Sequence, residues 1–142
     1  MDSIIGEVPL WLRALRAPGW RWAPGMSAVH LNWGTVNICK IDEAKGVAAC
    51  LCTHPAGYHS GPVAVSLSLA QMQPDLFDSA TKHQLLETVR RTYGDDAITA
   101  QYHQSLGAPE RKRWRVWRDG NPIAYGASEQ EALIVALERA AT

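Results

Sequence analysis

The sequence carries no net charge, since Lys and Arg together number 14 and Asp and Glu number 14. A neutral chain has no global field to draw it onto nucleic acid or an anionic membrane, and it is not the acidic shell of a protein that mimics DNA. Any charged partner must therefore meet a local patch. Cysteine is scarce as well: Cys39, Cys50 and Cys52 are an odd number, two of them one residue apart. That is a poor disulfide framework and suits a reducing compartment. No apolar run approaches the ~20 residues that span a bilayer, so no membrane partner is expected. The opening Met1-Asp2-Ser3-Ile4-Ile5-Gly6-Glu7 lacks a basic n-region and an apolar h-region, which argues against a signal peptide. The expected location is cytoplasmic. Internal repeats and low-complexity tracts are absent.

What is present is enough to fold. Hydrophobic residues make up 46% of 142 residues, which supplies one core and predicts a single domain over residues 1–142. Pro9 to Arg16 predicts a short helix, with Leu10, Trp11, Ala14 and Leu15 on one face. Pro18-Gly19 stops it, and a loop with Trp20, Trp22, Pro24 and Gly25 follows. Ser27 to Ile41 reads as strand with a break at Gly34, and Val47 to His54 returns after the hairpin loop Glu43–Gly46. Val63, Val65, Leu67 and Leu69 alternate with Ala64, Ser66 and Ser68, giving one buried and one solvated face.

A helix is predicted from about Asp75 to Tyr93, capped by Asp75 or Asp78, with Phe77, Leu85, Leu86, Val89 and Tyr93 as its apolar stripe. Gly94 ends it. Ile98 to Gln104 reads as strand. Asp119-Gly120 then signals a two-residue hairpin turn, because both positions must tolerate positive φ. With that register fixed, Trp114 faces Tyr125 and Val116 faces Ile123 on one buried face. Pro122 cannot donate to the ladder. Ser128-Glu129-Gln130-Glu131 is a capping box opening a last helix with Ala132, Leu133, Ala136, Leu137 and Ala140 inward. The fold class is α+β, in the order α-βββ-α-βββ-α, with three helices on a mostly antiparallel sheet of about six strands.

Chemistry-bearing residues are few. Cys50, Cys52, His54 and His59 are spaced like soft metal ligands. Residues i, i+2 and i+4 of one strand nevertheless span ~13 Å, and cannot converge on one ion without a sharp bend. The expected metal and cofactor content is therefore none, with Cys50 and Cys52 as small buried hydrophobes beside Cys39. The loop Thr53 to Pro62 holds two histidines and a tyrosine, but no neighbouring carboxylate orients either imidazole, and Ser60 is not in a nucleophile elbow. His30 and Asn32 share a strand face without a reactive partner. No catalytic residue is assigned.

The best surface candidate is Arg111-Lys112-Arg113-Trp114-Arg115-Val116-Trp117-Arg118. If Trp114 and Val116 point inward, alternation places Arg113, Arg115 and Trp117 together on the other face. Two guanidiniums beside an exposed indole can anchor a protein interface or stack on bases and grip phosphate. The bland alternative is a Trp covered by the last helix, with its arginines lying over it. Six tryptophans are many for this length, and Trp20 and Trp22 stand in a Pro/Gly-flanked loop outside any periodic element. The candidate partner-binding residues are Arg113, Arg115, Trp117, Arg118, Trp20 and Trp22.

The stretch Trp114-Arg115-Val116-Trp117, Gly120, and Gly126-Ala127-Ser128-Glu129-Gln130-Glu131-Ala132-Leu133 resembles the ends of small phage and prophage proteins. In those, a Trp-bearing hairpin runs into a capped Ala/Leu-rich helix, as in phage α-β-α sandwich domains. The resemblance implies a phage accessory protein acting in the host cytoplasm, a class that includes inhibitors of host defence such as anti-CRISPR proteins. It carries over no catalytic residue. The leading expectation is a non-enzymatic protein that binds a host protein or complex. The alternatives are a nucleic-acid-binding module using the Arg111–Arg118 strand and a small metal or thiol enzyme on Cys50, Cys52, His54 and His59.

Overall fold

The computed structural model describes residues 8–52, 63–104, 107 and 109–141. They form α+β architecture from three helices and two antiparallel sheets. The described residues fall into two compact units, residues 21–81 and residues 8–20 with 82–141.

The 21–81 unit holds a five-stranded sheet. Its strands are β1 (Ser27–His30), β2 (Gly34–Asp42), β3 (Val47–Cys52), β4 (Val63–Ser68) and β5 (Met72–Pro74), in the order β4-β3-β2-β1-β5. The stretch from Ser27 to Ile41, expected as one broken strand, is a hairpin in which Val29 faces Thr35 and His30 faces Gly34. Gly34 has φ +70°, which lets the chain reverse there. His30 fixes this turn from inside. It is buried, accepts from Asn32 N at Nδ1 (3.0 Å), and bonds Gln71 Oε1 through Nε2 (3.2 Å). Both ring nitrogens are thereby occupied in structural bonds.

Period-two alternation sorts this sheet's faces. Ala28, Val36, Ile38, Ala48, Cys50, Cys52, Leu67 and Met72 are buried, while their neighbours Val29, Thr35, Asn37, Ala49 and Leu51 face outward. A bulge between Ile38 and Lys40 interrupts the pattern. Cys50 therefore pairs with Ile38, and Cys39 is the extra, exposed residue of the bulge instead of Cys50's partner.

Helix α2 (Ser79–Tyr93) starts later than the periodicity suggests. Asp78 is the cap: its Oδ2 accepts from Thr81 N (3.1 Å), Thr81 Oγ1 (3.0 Å) and Ser27 N (3.1 Å). A carboxylate serving three donors outcompetes Asp75, whose Oδ1 instead closes a turn onto Phe77 N. Phe77 thus lies outside the helix and is 83% exposed, not part of the apolar stripe.

The other unit begins with α1 (Leu10–Arg16) and contains most of α2, then β6 (Thr99–Tyr102), β7 (Trp114–Arg118), β8 (Asn121–Gly126) and α3 (Glu129–Ala140). Its sheet order is β6-β7-β8, and α3 lies across all three strands. Val116, Ala124, Ala132, Leu133, Ala136 and Leu137 are buried between them. The capping box forms with one change. Ser128 Oγ accepts from Glu131 N (3.1 Å), while Glu131 Oε1 reaches past the cap to Ala127 N (2.7 Å). No described helix is long and apolar enough to cross a membrane.

Candidate functional site

The site grows out of the β7–β8 hairpin. Asp119 (φ 53°) and Gly120 (φ 80°) both occupy the left-handed region, as a two-residue turn of this hand demands. Arg118 pairs with Asn121 and Trp117 with Pro122, as the turn dictates. The register then shifts by one residue: Val116 pairs with Ala124, Arg115 with Tyr125, and Trp114 with Gly126. Ile123 is the extra residue. The expected pairs Trp114 with Tyr125 and Val116 with Ile123 are therefore corrected. The cause lies beside Pro122, which has no N–H for the ladder. A bulge next to it turns every later β8 side chain to the opposite face.

That slip changes the chemistry of the open face. Trp114 and Val116 still point toward α3, but Tyr125 joins Arg115 and Trp117 on the side away from it. The Arg115 guanidinium lies 5.4 Å from the Tyr125 ring centre and 5.9 Å from that of Trp117. Lys112 Nζ, in the short 3₁₀ turn Glu110–Lys112, stands 5.4 Å from the same tyrosine ring. Two cations and two aromatic rings form one cluster, held by cation–π attraction. Arg115, Trp117 and Tyr125 are each half-buried.

The hydrogen bonding of this cluster is incomplete. Arg115 Nε is shielded from solvent and has no acceptor. Among the described residues, Arg111, Lys112, Arg113 and Arg115 make no ion pair, although other arginines of this unit do. Arg13 is held bidentately by Glu138 (2.6 and 3.0 Å), and Arg90 by Glu87 (2.8 Å). The basic stretch is thus a local positive surface on a neutral chain.

The expected site residues divide. Arg115 and Trp117 come together. Arg113 precedes the strand, at the exit of the 3₁₀ turn in helical backbone, and is exposed. Strand alternation therefore does not align it with Arg115. Arg118 leaves the cluster for the other face, 5.5 Å from the Tyr93 ring and 3.5 Å from Asp95 Oδ2. Trp20 and Trp22 are half-buried and belong to different units, and Trp22 lines a cleft. Sequence reasoning assigned Tyr125 to the core, and placed Lys112 in the basic stretch without naming it among the binding residues. The signal for Tyr125 was Pro122, whose missing donor marks a place where the ladder can slip. His54 and His59 lie outside the described residues. Among the described residues no three metal-ligating side chains cluster, and Cys50 and Cys52 lie buried on one face of β3. No protein-family model matches this chain, and no curated protein or solved structure matches it either.

What the arrangement can do follows from its donors. A guanidinium held by aromatic contacts is pre-oriented, and its planar donor fork matches a carboxylate or a phosphate. Among the described residues, those gathered around it are Lys112, Trp117 and Tyr125. Such an arrangement is suited to holding an anion against an aromatic wall.

Proposed function

We propose that this chain is a non-enzymatic binding protein that docks an acidic protein partner on the open face of the β6-β7-β8 sheet. The observation that carries this reading is Arg115, held between Tyr125 and Trp117 and, among the described residues, in no ion pair. A carboxylate arriving from a partner meets the outer donors of this guanidinium and forms charge-assisted hydrogen bonds to them. Unpaired Arg111, Lys112 and Arg113 supply attraction around it, and Trp and Tyr supply anchoring area of the kind found at interaction hot spots.

Protein is favoured over nucleic acid by the same geometry. Base stacking needs a free ring face, and Tyr125 already has Lys112 and Arg115 over its ring. The C-terminal resemblance to small phage accessory proteins supports a host protein as the partner and inhibition of a host defence system as the role. The test is titration of a labelled Asp/Glu-rich peptide and of a single-stranded oligonucleotide against the wild type and Arg115→Gln, at two salt concentrations. The peptide is expected to bind the wild type and to weaken about tenfold with Arg115→Gln. Equal peptide binding by a folded variant sinks the proposal. Tighter, steeply salt-dependent binding of the oligonucleotide replaces it with the nucleic-acid reading.

A further inference from the structure

The 21–81 unit holds a cleft of about 560 Å³ that the basic face does not involve. This is the size range of small-molecule sites, ~300–1,000 Å³. One wall is the loop carrying Trp22 and Pro24, and the other is β2 from its bulge at Cys39 to Asp42, with Glu43 just beyond the strand. Both walls are pinned by hydrogen bonds from backbone N–H groups. Gly25 N donates to Ile38 O (2.8 Å), Ile38 N to Met26 O (2.9 Å), and Ala23 N to the Sδ of fully buried Met26 (3.1 Å). On the far side Lys45 N donates to Asp42 Oδ1 (3.2 Å) and Gly46 N to Glu43 O (3.2 Å). The backbone of both walls is therefore fixed, the cleft between them is shallow and open, and its shape depends on the bulge, a device that re-aims side chains beside sites.

Its chemistry is mixed. Trp22, Pro24 and Ile41 give an apolar side, while Lys40, Asp42 and Glu43 give charges of both signs. Among the described residues none of these three charges is in an ion pair. Opposite charges that line one cleft without neutralising each other are complementary to a ligand that carries both signs. An apolar wall adds room for an uncharged body between them. We propose that this cleft binds a zwitterionic amino-carboxylate with an apolar side chain, the class of free amino acids and short peptides. Its carboxylate meets Lys40, its ammonium meets Asp42 and Glu43, and its side chain lies against Trp22.

Cys39 is a built-in reporter. It lines the cleft and is exposed, whereas Cys50 and Cys52 are buried and burial pushes their thiols up, away from reactive thiolate. The probe is the dipeptide Gly-Phe, with N-acetyl-Gly-Phe and Gly-Phe-amide as forms that each lack one charge. Binding is followed by amide chemical shifts and by the rate at which iodoacetamide alkylates Cys39. Gly-Phe is expected to shift the amides of residues 39–43 and to slow alkylation, with each blocked form about tenfold weaker for loss of a charged contact. Lys40→Gln and Glu43→Gln, at exposed positions whose side chains make no hydrogen bond, should fold normally and weaken Gly-Phe similarly. Absence of any shift overturns the proposal, and so does equal binding by the blocked forms, which would make the cleft merely apolar. Neither result touches the acidic-partner reading, whose residues lie in the other unit.

Discussion

Arg115 and Tyr125 stand directly opposite each other across the β7–β8 ladder, with the guanidinium carbon 5.4 Å from the centre of the ring. A cation over a partly buried ring is worth about 0.5–1 kcal/mol. A double-mutant cycle with Arg115→Met and Tyr125→Leu, read by urea unfolding, should give a coupling of that size. Zero coupling would place Tyr125 back on the α3 face.

Gly120 sits at φ 80° with open space where a Cβ would go. The strain of a side chain there is purely conformational, so Gly120→Val should cost about 1–2 kcal/mol. Asp119→Gly, at φ 53°, should cost far less, since glycine accepts that backbone freely. Comparing the two unfolding midpoints checks the turn without disturbing any packing.

Gly126 poses the opposite case. Its backbone suits any residue, but a Cβ would collide with the Ala132 backbone nitrogen and lie 2.9 Å from Ser128 O. Those are main-chain atoms of the first turn of α3 and cannot rotate aside. Gly126→Ala should therefore destabilise by roughly 1–3 kcal/mol, the cost of overpacking, and loosen α3 from the sheet. Thermal melting with helical circular dichroism reads both effects.

Arg13 and Glu138 join α1 to α3 by two hydrogen bonds, with side chains 29% and 38% exposed. Solvent screening limits such a pair to about 0.3–1 kcal/mol, measurable as the coupling between Arg13→Ala and Glu138→Ala. The bond to Glu138 raises the Arg13 pKa further above its ordinary range. Arg13 therefore stays charged in alkali, and the coupling should be the same at pH 7 and pH 10.

Burial raises the thiol pKa of Cys50 and Cys52, and Cys50 is raised also by its thiol neighbours Cys39 and Cys52. A raised folded-state pKa means that the unfolded chain releases these protons first. Their stabilising contribution is full below the unfolded thiol pKa of about 8.5 and is lost as pH climbs beyond it. Urea midpoints should thus fall between pH 8 and pH 10.5, and less steeply in a Cys50→Ala, Cys52→Ala variant. An identical slope would show that other groups govern the alkaline limb.

Much of this molecule was decided locally and could be read from the chain. The Asp119-Gly120 turn, the Ser128–Glu131 cap, the alternation of β4 and the stripe of α3 each depend on residues a few positions apart. Their backbone preferences and side-chain periods hold whatever surrounds them. The tertiary structure decided the rest, at points where local options were nearly equal in energy. Asp78 prevailed over Asp75 because Ser27 N, distant in sequence, adds a third donor to its carboxylate. Cys39 moved out of line with Cys50, and Tyr125 joined Arg115 and Trp117, because each strand took a bulge when paired with its neighbour. A strand pattern fixes which residues alternate, but one inserted residue reverses their faces. Whether that residue is inserted depends on the ladder and on the helix above it, where only a glycine at 126 fits beneath Ala132.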